Sequence, residues 1–103
     1  MDYKKNLVKK FGFWGIEISP DLLALSPGFR KDKGIIVAAL VGNSSAWAGG
    51  FQPGDVIYSI NRMPMLNMEI LNSFVAGIND GDPVVVHLER KGMLRYLEFV
   101  YED

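Results

Sequence analysis

The alternation of apolar and polar residues predicts several short strands along the chain. Residues 16–19 read Ile-Glu-Ile-Ser, the two-residue period of a half-buried strand. Residues 35–41 are apolar throughout, which is typical of a central strand buried on both faces. Residues 84–90 and 94–101 alternate on either side of a Lys-Gly pair that favours a hairpin turn. A further strand is predicted over residues 56–60.

Three helices are predicted between these strands, two short and one long. Ser19 is a favourable cap for a short helix that carries Pro20 in its first turn and ends near Leu25. Residues 44–48 form one or two further helical turns, which a pair of glycines stops. The long helix is capped by Asn67, runs to about residue 79, and has apolar residues at helical spacing: Leu71, Phe74, Val75 and Ile78.

This order of elements predicts an α+β fold. We expect a small, partly open barrel or sandwich of about five to six short strands, with one long helix and one or two short helices. Residues 1–8 are expected to form a flexible lead-in, because they are mostly polar and basic. Residues 9–103 are expected to form one domain, the usual number for a chain of 103 residues.

Composition and charge argue against several classes of function. The formal net charge is −1, with 11 basic and 12 acidic residues, so the basic excess of a nucleic-acid-binding surface is missing. With no cysteine and one histidine, we expect neither a metal site nor another cofactor. The sequence has no apolar run near the roughly 18 residues of a membrane span, so membrane insertion is not expected. Catalysis by this chain is not expected, because a nucleophile motif such as G-x-S-x-G is missing.

The candidate chemistry lies in a glycine-broken apolar loop over residues 11–15, which follows two lysines and leads into the first predicted strand. Backbone amides in such a turn can converge on an anion, and an open strand edge can accept another extended chain. The loop and strand therefore suggest a cradle for the terminal carboxylate of a peptide. The alternative, which these residues alone leave open, is an ordinary bend before a strand.

Residues 43–61 read NSSAWAGGFQPGDVIYSIN and are similar to the PDZ signature (S/T)PA-x-x-(A/G)G-L-x-x-GD-x-I-x-x-(V/I)NG. Residues 13–16, Phe-Trp-Gly-Ile, resemble the carboxylate-binding loop of the permuted bacterial PDZ domains found in HtrA-type serine proteases. The resemblance covers about residues 9 to 101 and implies the PDZ fold. Two residues depart from the signature: Ser45 stands where the family often has proline, and Arg62 where it usually has glycine.

The resemblance implies a peptide-binding groove between the first strand and the long helix. The amides of Trp14, Gly15 and Ile16 would face the carboxylate of the peptide, and Ile16 would also line the pocket for the last side chain. Met68, Asn72 and Val75 follow one stripe of the helix and would border the groove, although a plain core stripe is the alternative. The implied peptide-binding residues are Lys10, Phe13, Trp14, Gly15, Ile16, Glu17, Ile18, Met68, Asn72 and Val75.

By resemblance, the chain is a binding module that captures protein C-termini or extended segments by strand addition. The parent would be an HtrA-like serine endopeptidase of the bacterial cell envelope or periplasm, and the module would bind substrates or regulate the catalytic domain. Two alternatives remain: a structural docking or oligomerisation module with an empty groove, or a PDZ domain of another envelope protease or secretion component. Its partners would be C-terminal or extended peptides of other proteins, with its own protease domain as a further candidate. Trp47 could be an exposed contact residue or could be partly buried.

Overall fold

The computed structural model describes residues 2–26 and 28–103 and contains an antiparallel sheet and three helices. The strands follow the order β1-β2-β3-β4-β6-β7 across the sheet, and β5 pairs with β4. The predicted α+β class is confirmed, and two strands of only two residues bring the number to seven. The strands are β1 Leu7–Val8, β2 Phe13–Glu17, β3 Ile35–Leu40, β4 Val56–Ile60, β5 Met63–Pro64, β6 Pro83–Arg90 and β7 Met93–Val100. The helices are α1 Pro20–Leu25, α2 Ser45–Gly49 and α3 Met68–Ala76.

Each helix begins at a polar cap, which the sequence predicted for Ser19 and Asn67 but not for Ser44. The side chains of Ser19, Ser44 and Asn67 accept hydrogen bonds from backbone amides in the first turns of α1, α2 and α3. Such a cap satisfies an amide that has no partner within the helix. At the other end of α2, Gly50 adopts a left-handed conformation with φ of +97°, which glycine reaches without strain. Within the described residues, no helix is long and apolar enough to cross a membrane.

Two apolar clusters cover opposite faces of the sheet. The main core contains Ile57 from β4 together with Leu71 and Val75 from α3. Val56 and Tyr58, the neighbours of Ile57, belong instead to the second cluster. This division follows from the alternation of side chains along a strand. α3 therefore packs on the face of the main core.

The chain enters the sheet earlier than expected. Val8 is only 1% exposed and belongs to the main core, while β1 pairs antiparallel with β2. The predicted lead-in over residues 1–8 thus includes two residues that form a strand. Residues 2–5 are exposed.

A buried ion pair ties the loop before β4 to the end of β6. The carboxylate of Asp55 is fully buried and binds the Arg90 guanidinium through two contacts, of 2.7 and 2.8 Å. The same carboxylate accepts a hydrogen bond from the Gln52 amide, and Arg90 also donates to the Gly50 carbonyl. The hydrogen bond to Asp55 raises the pKa of Arg90. These contacts fix the turn over residues 52–55 against the sheet.

Candidate functional site

The register of β2 decides which of its backbone groups face outward. Ile16 lies opposite Ile36 of β3, and the Ile18 amide donates to the Gly34 carbonyl at 2.9 Å. Because hydrogen bonds in an antiparallel pair alternate along the strand, Gly15 and Glu17 turn their backbone groups to the other edge. The Ile16 amide therefore points toward β3, away from the edge where a carboxylate was expected.

The outer edge of β2 is partly covered by the beginning of the chain. Leu7 pairs with Trp14, and the Gly15 amide donates to the Asn6 carbonyl at 2.9 Å. Further out, the Trp14 indole donates to the Tyr3 carbonyl at 3.0 Å, and the two rings meet edge to face. Pairing with β1 stops at Trp14, so this cover ends before Glu17.

Residues 2–6 form a turn that is stabilised by Asp2. The Asp2 carboxylate accepts hydrogen bonds from the amides of Lys4 and Lys5, and the Asp2 carbonyl accepts one from the Asn6 amide. The amides of Lys5 and Lys4 lower the pKa of the Asp2 carboxyl, because they stabilise its charged form. The turn thus depends mainly on its own hydrogen bonds.

α3 lies across from the outer edge of β2 and contacts it through two residues. The Glu17 carboxylate accepts a hydrogen bond from the Met68 amide at 3.1 Å, at the N-terminus of α3. A Cβ atom placed on Gly15 would lie 3.0 Å from the Met68 sulfur and 2.8 Å from Cγ2 of Ile35. The missing side chain at Gly15 therefore allows the helix and the strand to approach closely.

The predicted helix stripe divides into buried and exposed residues. Met68 and Val75 are 9% and 2% exposed and belong to the main core, whereas Asn72 between them is exposed. On β2, Phe13 is fully buried and stacks on Phe51, with ring centroids 5.8 Å apart.

Some of the predicted residues meet and others do not. Gly15, Glu17 and Met68 are in contact, and Asn72 lies on the same stripe of α3 as Met68. Ile18 belongs to the second apolar cluster, on the face away from α3, and alternation places Ile16 on that face too. Ile16 therefore does not share a pocket with Val75 in this structure.

Lys10 lies at the opposite end of α3 from Glu17. Its ammonium group donates to the carbonyl of Ile78 and lies 3.4 Å from that of Ala76, just after the end of the helix. The same group lies 5.3 Å from the centre of the Tyr101 ring. A positive charge is favourable there, because the carbonyl end of a helix carries partial negative charge. The helix therefore has a basic residue at one end and an acidic residue at the other.

Sequence reasoning missed the contribution of Tyr3 and Asn6 to this edge. The apolar pair Leu7-Val8 between polar neighbours was the available signal for a short strand there. Nothing in the pattern indicated that the Asn6 carbonyl would reach Gly15, since that contact depends on the turn made by residues 9–12. The bond from the Met68 amide to Glu17 was missed as well, because it joins residues 51 positions apart.

Other surface features lie outside this edge. A cleft of about 740 Å³ is lined by parts of the N-terminal loop, α2 and the end of β7, including Lys9, Asn43 and Ser45. On the far face, His87 stacks on Tyr96 with ring centroids 4.7 Å apart. Trp47 is 55% exposed, which decides between the exposed and the partly buried alternatives left open by the sequence, while a contact role stays a prediction. Among the described residues, no group of three or more His, Asp or Glu side chains could hold a metal ion.

Comparison with known proteins identifies a family over most of the chain. Residues 4–89 match the PDZ domain family. A protein of Pseudomonas putida described as "Probable periplasmic serine endoprotease DegP-like" is 37% identical over 82 residues, which are 80% of this chain. The match spans 17% of the length of that relative, so this chain corresponds to a small part of it.

Solved structures of similar domains agree with this match. One is the PDZ domain of HtrA3 bound to a phage-derived ligand, FGRWV, which matches this chain with a TM-score of 0.73 and 26% identity. The match covers 89% of this chain and 84% of that chain. Another is the HtrA-type protease AlgW with a decapeptide, which matches this chain with a TM-score of 0.73 and 27% identity. The match covers 85% of this chain and 27% of the AlgW chain.

Proposed function

The chain belongs to the PDZ domain family, and from that premise we propose that it captures the C-termini or extended segments of other proteins on the outer edge of β2. The observation that carries the proposal is the pair of outward-facing residues Gly15 and Glu17, opposite α3. Unpaired backbone groups at a strand edge can bind an extended peptide as one more strand. The peptides bound in the HtrA3 and AlgW structures support the same class of ligand.

The geometry suggests how such a peptide would lie. Its terminal carboxylate would accept a hydrogen bond from the Gly15 amide, and its backbone would pair with Glu17. Alternate side chains would then face the stripe of α3 that contains Met68 and Asn72. Lys10 lies at the C-terminal end of α3 and would favour the charged end of the peptide through longer-range attraction.

A PDZ domain by itself is a binding module, and the Pseudomonas putida relative is described as a serine endoprotease. We propose that the parent of this chain is an HtrA-like serine endopeptidase and that it acts in the periplasm. The module would present substrates to the catalytic domain or regulate it.

A docking module with an empty groove is the second candidate. Two observations favour it: the Gly15 amide is already bonded to Asn6, and Val75 is buried in the main core. In that case the edge would stay covered, and partners, including a protease domain of the same protein, would bind elsewhere.

A matched pair of α3 variants separates the two candidates. Asn72→Glu places a negative charge on the stripe beside β2, whereas Ser73→Glu places it one residue on, in a different cleft lined by Met63 and Phe74. Both residues are exposed, so neither change should unfold the domain. Calorimetric titration with an apolar C-terminal peptide should show at least tenfold weaker binding for Asn72→Glu and little change for Ser73→Glu. Equal affinity of both variants would contradict binding at this edge.

A further inference from the structure

The first residues of the chain occupy the position that the proposed function assigns to the peptide carboxylate. The Asn6 carbonyl oxygen lies 2.9 Å from the Gly15 nitrogen, on the outward edge of β2. An amide N–H carries one hydrogen, so Asn6 and a peptide carboxylate compete for the same donor. We propose that residues 2–6 form a displaceable cover that lowers the affinity of this edge for peptide C-termini. This inference rests on the function proposed above.

On its C-terminal side, the cover is followed directly by β1, which is anchored in the core. Val8 is 1% exposed, and its carbonyl accepts a hydrogen bond from the Gly12 amide at 2.7 Å, so β1 is anchored in the core. Residues 2–5 are exposed, and Tyr3 is 71% exposed. The chain can therefore open at about residue 6 without disturbing the core.

Few contacts hold residues 2–6 on β2. The hydrogen bonds are those from Gly15 to Asn6 and from the Trp14 indole to Tyr3, supplemented by the edge-to-face contact of the two rings. Most of the other hydrogen bonds of this segment lie within its own turn and persist when the segment moves as a unit. Exposed segments with few such contacts open at low free energy.

A peptide carboxylate is the stronger acceptor for the contested amide. A hydrogen bond to an ionised oxygen is shorter and roughly twice as strong as one to a neutral carbonyl. The Asn6 carbonyl is the weaker acceptor, but it belongs to the same chain as Gly15, so its effective concentration near the Gly15 amide is high. The cover therefore favours free C-termini, whose carboxylate displaces residues 2–6 more readily than the neutral carbonyls of an internal segment do.

Removal of residues 1–6, which leaves a chain that begins at Leu7, tests the proposal, because it removes the competing carbonyl and keeps Val8 in the core. We expect an apolar C-terminal peptide to bind the deletion variant about tenfold more tightly than the full chain, which corresponds to about 1.4 kcal/mol. The backbone amide of Gly15 should also exchange with solvent faster in the deletion variant without peptide. A full-length variant, Asp2→Ala with Tyr3→Ala, loosens the turn at exposed positions and should shift affinity in the same direction by less.

The deletion also removes two lysines, so the control is Lys4→Gln with Lys5→Gln in the full chain. These residues contact Asp2 through their backbone amides, which the control keeps. If the control binds the peptide as tightly as the deletion variant does, the gain in affinity comes from the loss of the two lysine charges, and the proposed cover is wrong. Unchanged affinity in the deletion and loosened variants, with the full chain still binding peptide, would overturn the cover and leave the proposed function standing. If neither the full chain nor the deletion variant binds, the proposed function fails and the cover fails with it.

Discussion

At the scale of single residues, Asp55 and Arg90 show the strongest dependence of the fold on one contact. The Arg90 guanidinium contacts both oxygens of the Asp55 carboxylate. The Asp55 side chain is inaccessible to solvent, and the Arg90 side chain is 13% exposed. The Asp55 carboxylate also accepts a hydrogen bond from the Gln52 amide in its own turn. The partnership with Arg90 could not be predicted, because 35 residues separate the two and neither pattern nor spacing relates them.

We expect Asp55→Ala to destabilise the domain by about 3–5 kcal/mol, because it leaves the Arg90 charge without its partner. The matched control is Arg30→Ala, which breaks the pair with Glu89, where the arginine side chain is 45% exposed. An exposed pair of this kind contributes about 1 kcal/mol or less. Urea denaturation of both variants measures the difference, and a smaller loss for Asp55→Ala than for Arg30→Ala would contradict this description.

Gly15→Ala should destabilise the fold by about 1–3 kcal/mol, because a side chain there overpacks the contact between β2 and α3. The added Cβ would lie 2.8 Å from Cγ2 of Ile35 and 3.0 Å from the Met68 sulfur. Gly42→Ala is the control, since a Cβ at Gly42 has no neighbour within 4 Å. Thermal denaturation should show a clear loss for the first variant only. Equal stability of the Gly15→Ala and Gly42→Ala variants would contradict close packing of β2 against α3 at Gly15.

The stability of the domain should fall above about pH 10 in part because of Tyr58. Burial and then the hydrogen bond to Glu89 raise the pKa of the Tyr58 phenol above its ordinary value of 10.0. A raised pKa in the folded state means that the folded state keeps its proton longer, so this stabilisation is present below pH 10 and is lost as the pH rises. Tyr58→Phe should lose less stability between pH 9 and pH 11 in denaturant titrations. A parallel loss in both proteins would refute the role of Tyr58.

At the scale of elements, β2 and α3 were predicted near their observed places, but their bounds were wrong. The strand was expected over residues 16–19 and lies at Phe13–Glu17, and the helix ends at Ala76 and not near residue 79. The side-chain facing of β2 was not predicted either. The register of β2 against β3 shifts between Trp14 and Gly15. A shift of one residue exchanges the two faces of a strand, so Gly15 and Glu17 face α3 where Ile16 and Ile18 were expected. Such an irregularity depends on the loop before the strand and leaves no periodic signal. The alternation of Ile and Glu predicts a strand but does not determine which side chains of that strand face α3.

The turn between β4 and β5 explains how the chain accommodates Arg62. Asn61 and Arg62 both have positive φ, +49° and +70°, in a two-residue hairpin turn. The Asn61 side chain compensates by bonding the Pro83 carbonyl and the Val85 amide. Arg62 stands where the family usually has glycine, and the structure retains the turn that glycine favours.

Arg62→Gly should therefore stabilise the domain by about 1 kcal/mol, since a side chain in the left-handed region is strained. The control is Arg62→Ala, which removes the guanidinium and keeps the Cβ that causes the strain. Only the glycine variant should raise the melting temperature. A rise of the same size for alanine would assign the gain to the lost arginine side chain and contradict the backbone explanation.

At the scale of the whole molecule, the order of the longer strands and the helices could be predicted, because glycines, caps and alternation separate these elements along the chain. The two shortest strands, β1 and β5, were the part of the fold not predicted, since two residues carry no period. The resemblance places the candidate site at β2 and α3, and that placement stays a prediction. Its occupation by residues 2–6 was not predicted, because it is a tertiary contact between an exposed segment and a strand edge.

The central claim is that this domain captures free C-termini at the outer edge of β2. Its most direct test is the titration of two matched peptides that differ only at the last group, a free carboxylate or an amide. A charge-assisted hydrogen bond contributes about 1.5–3 kcal/mol, so the acid should bind about ten- to a hundredfold more tightly. NMR shifts during the titration should concentrate on Gly15 and Glu17. Equal affinity for both peptides, or shifts confined to Trp47 and its surroundings, would contradict the claim.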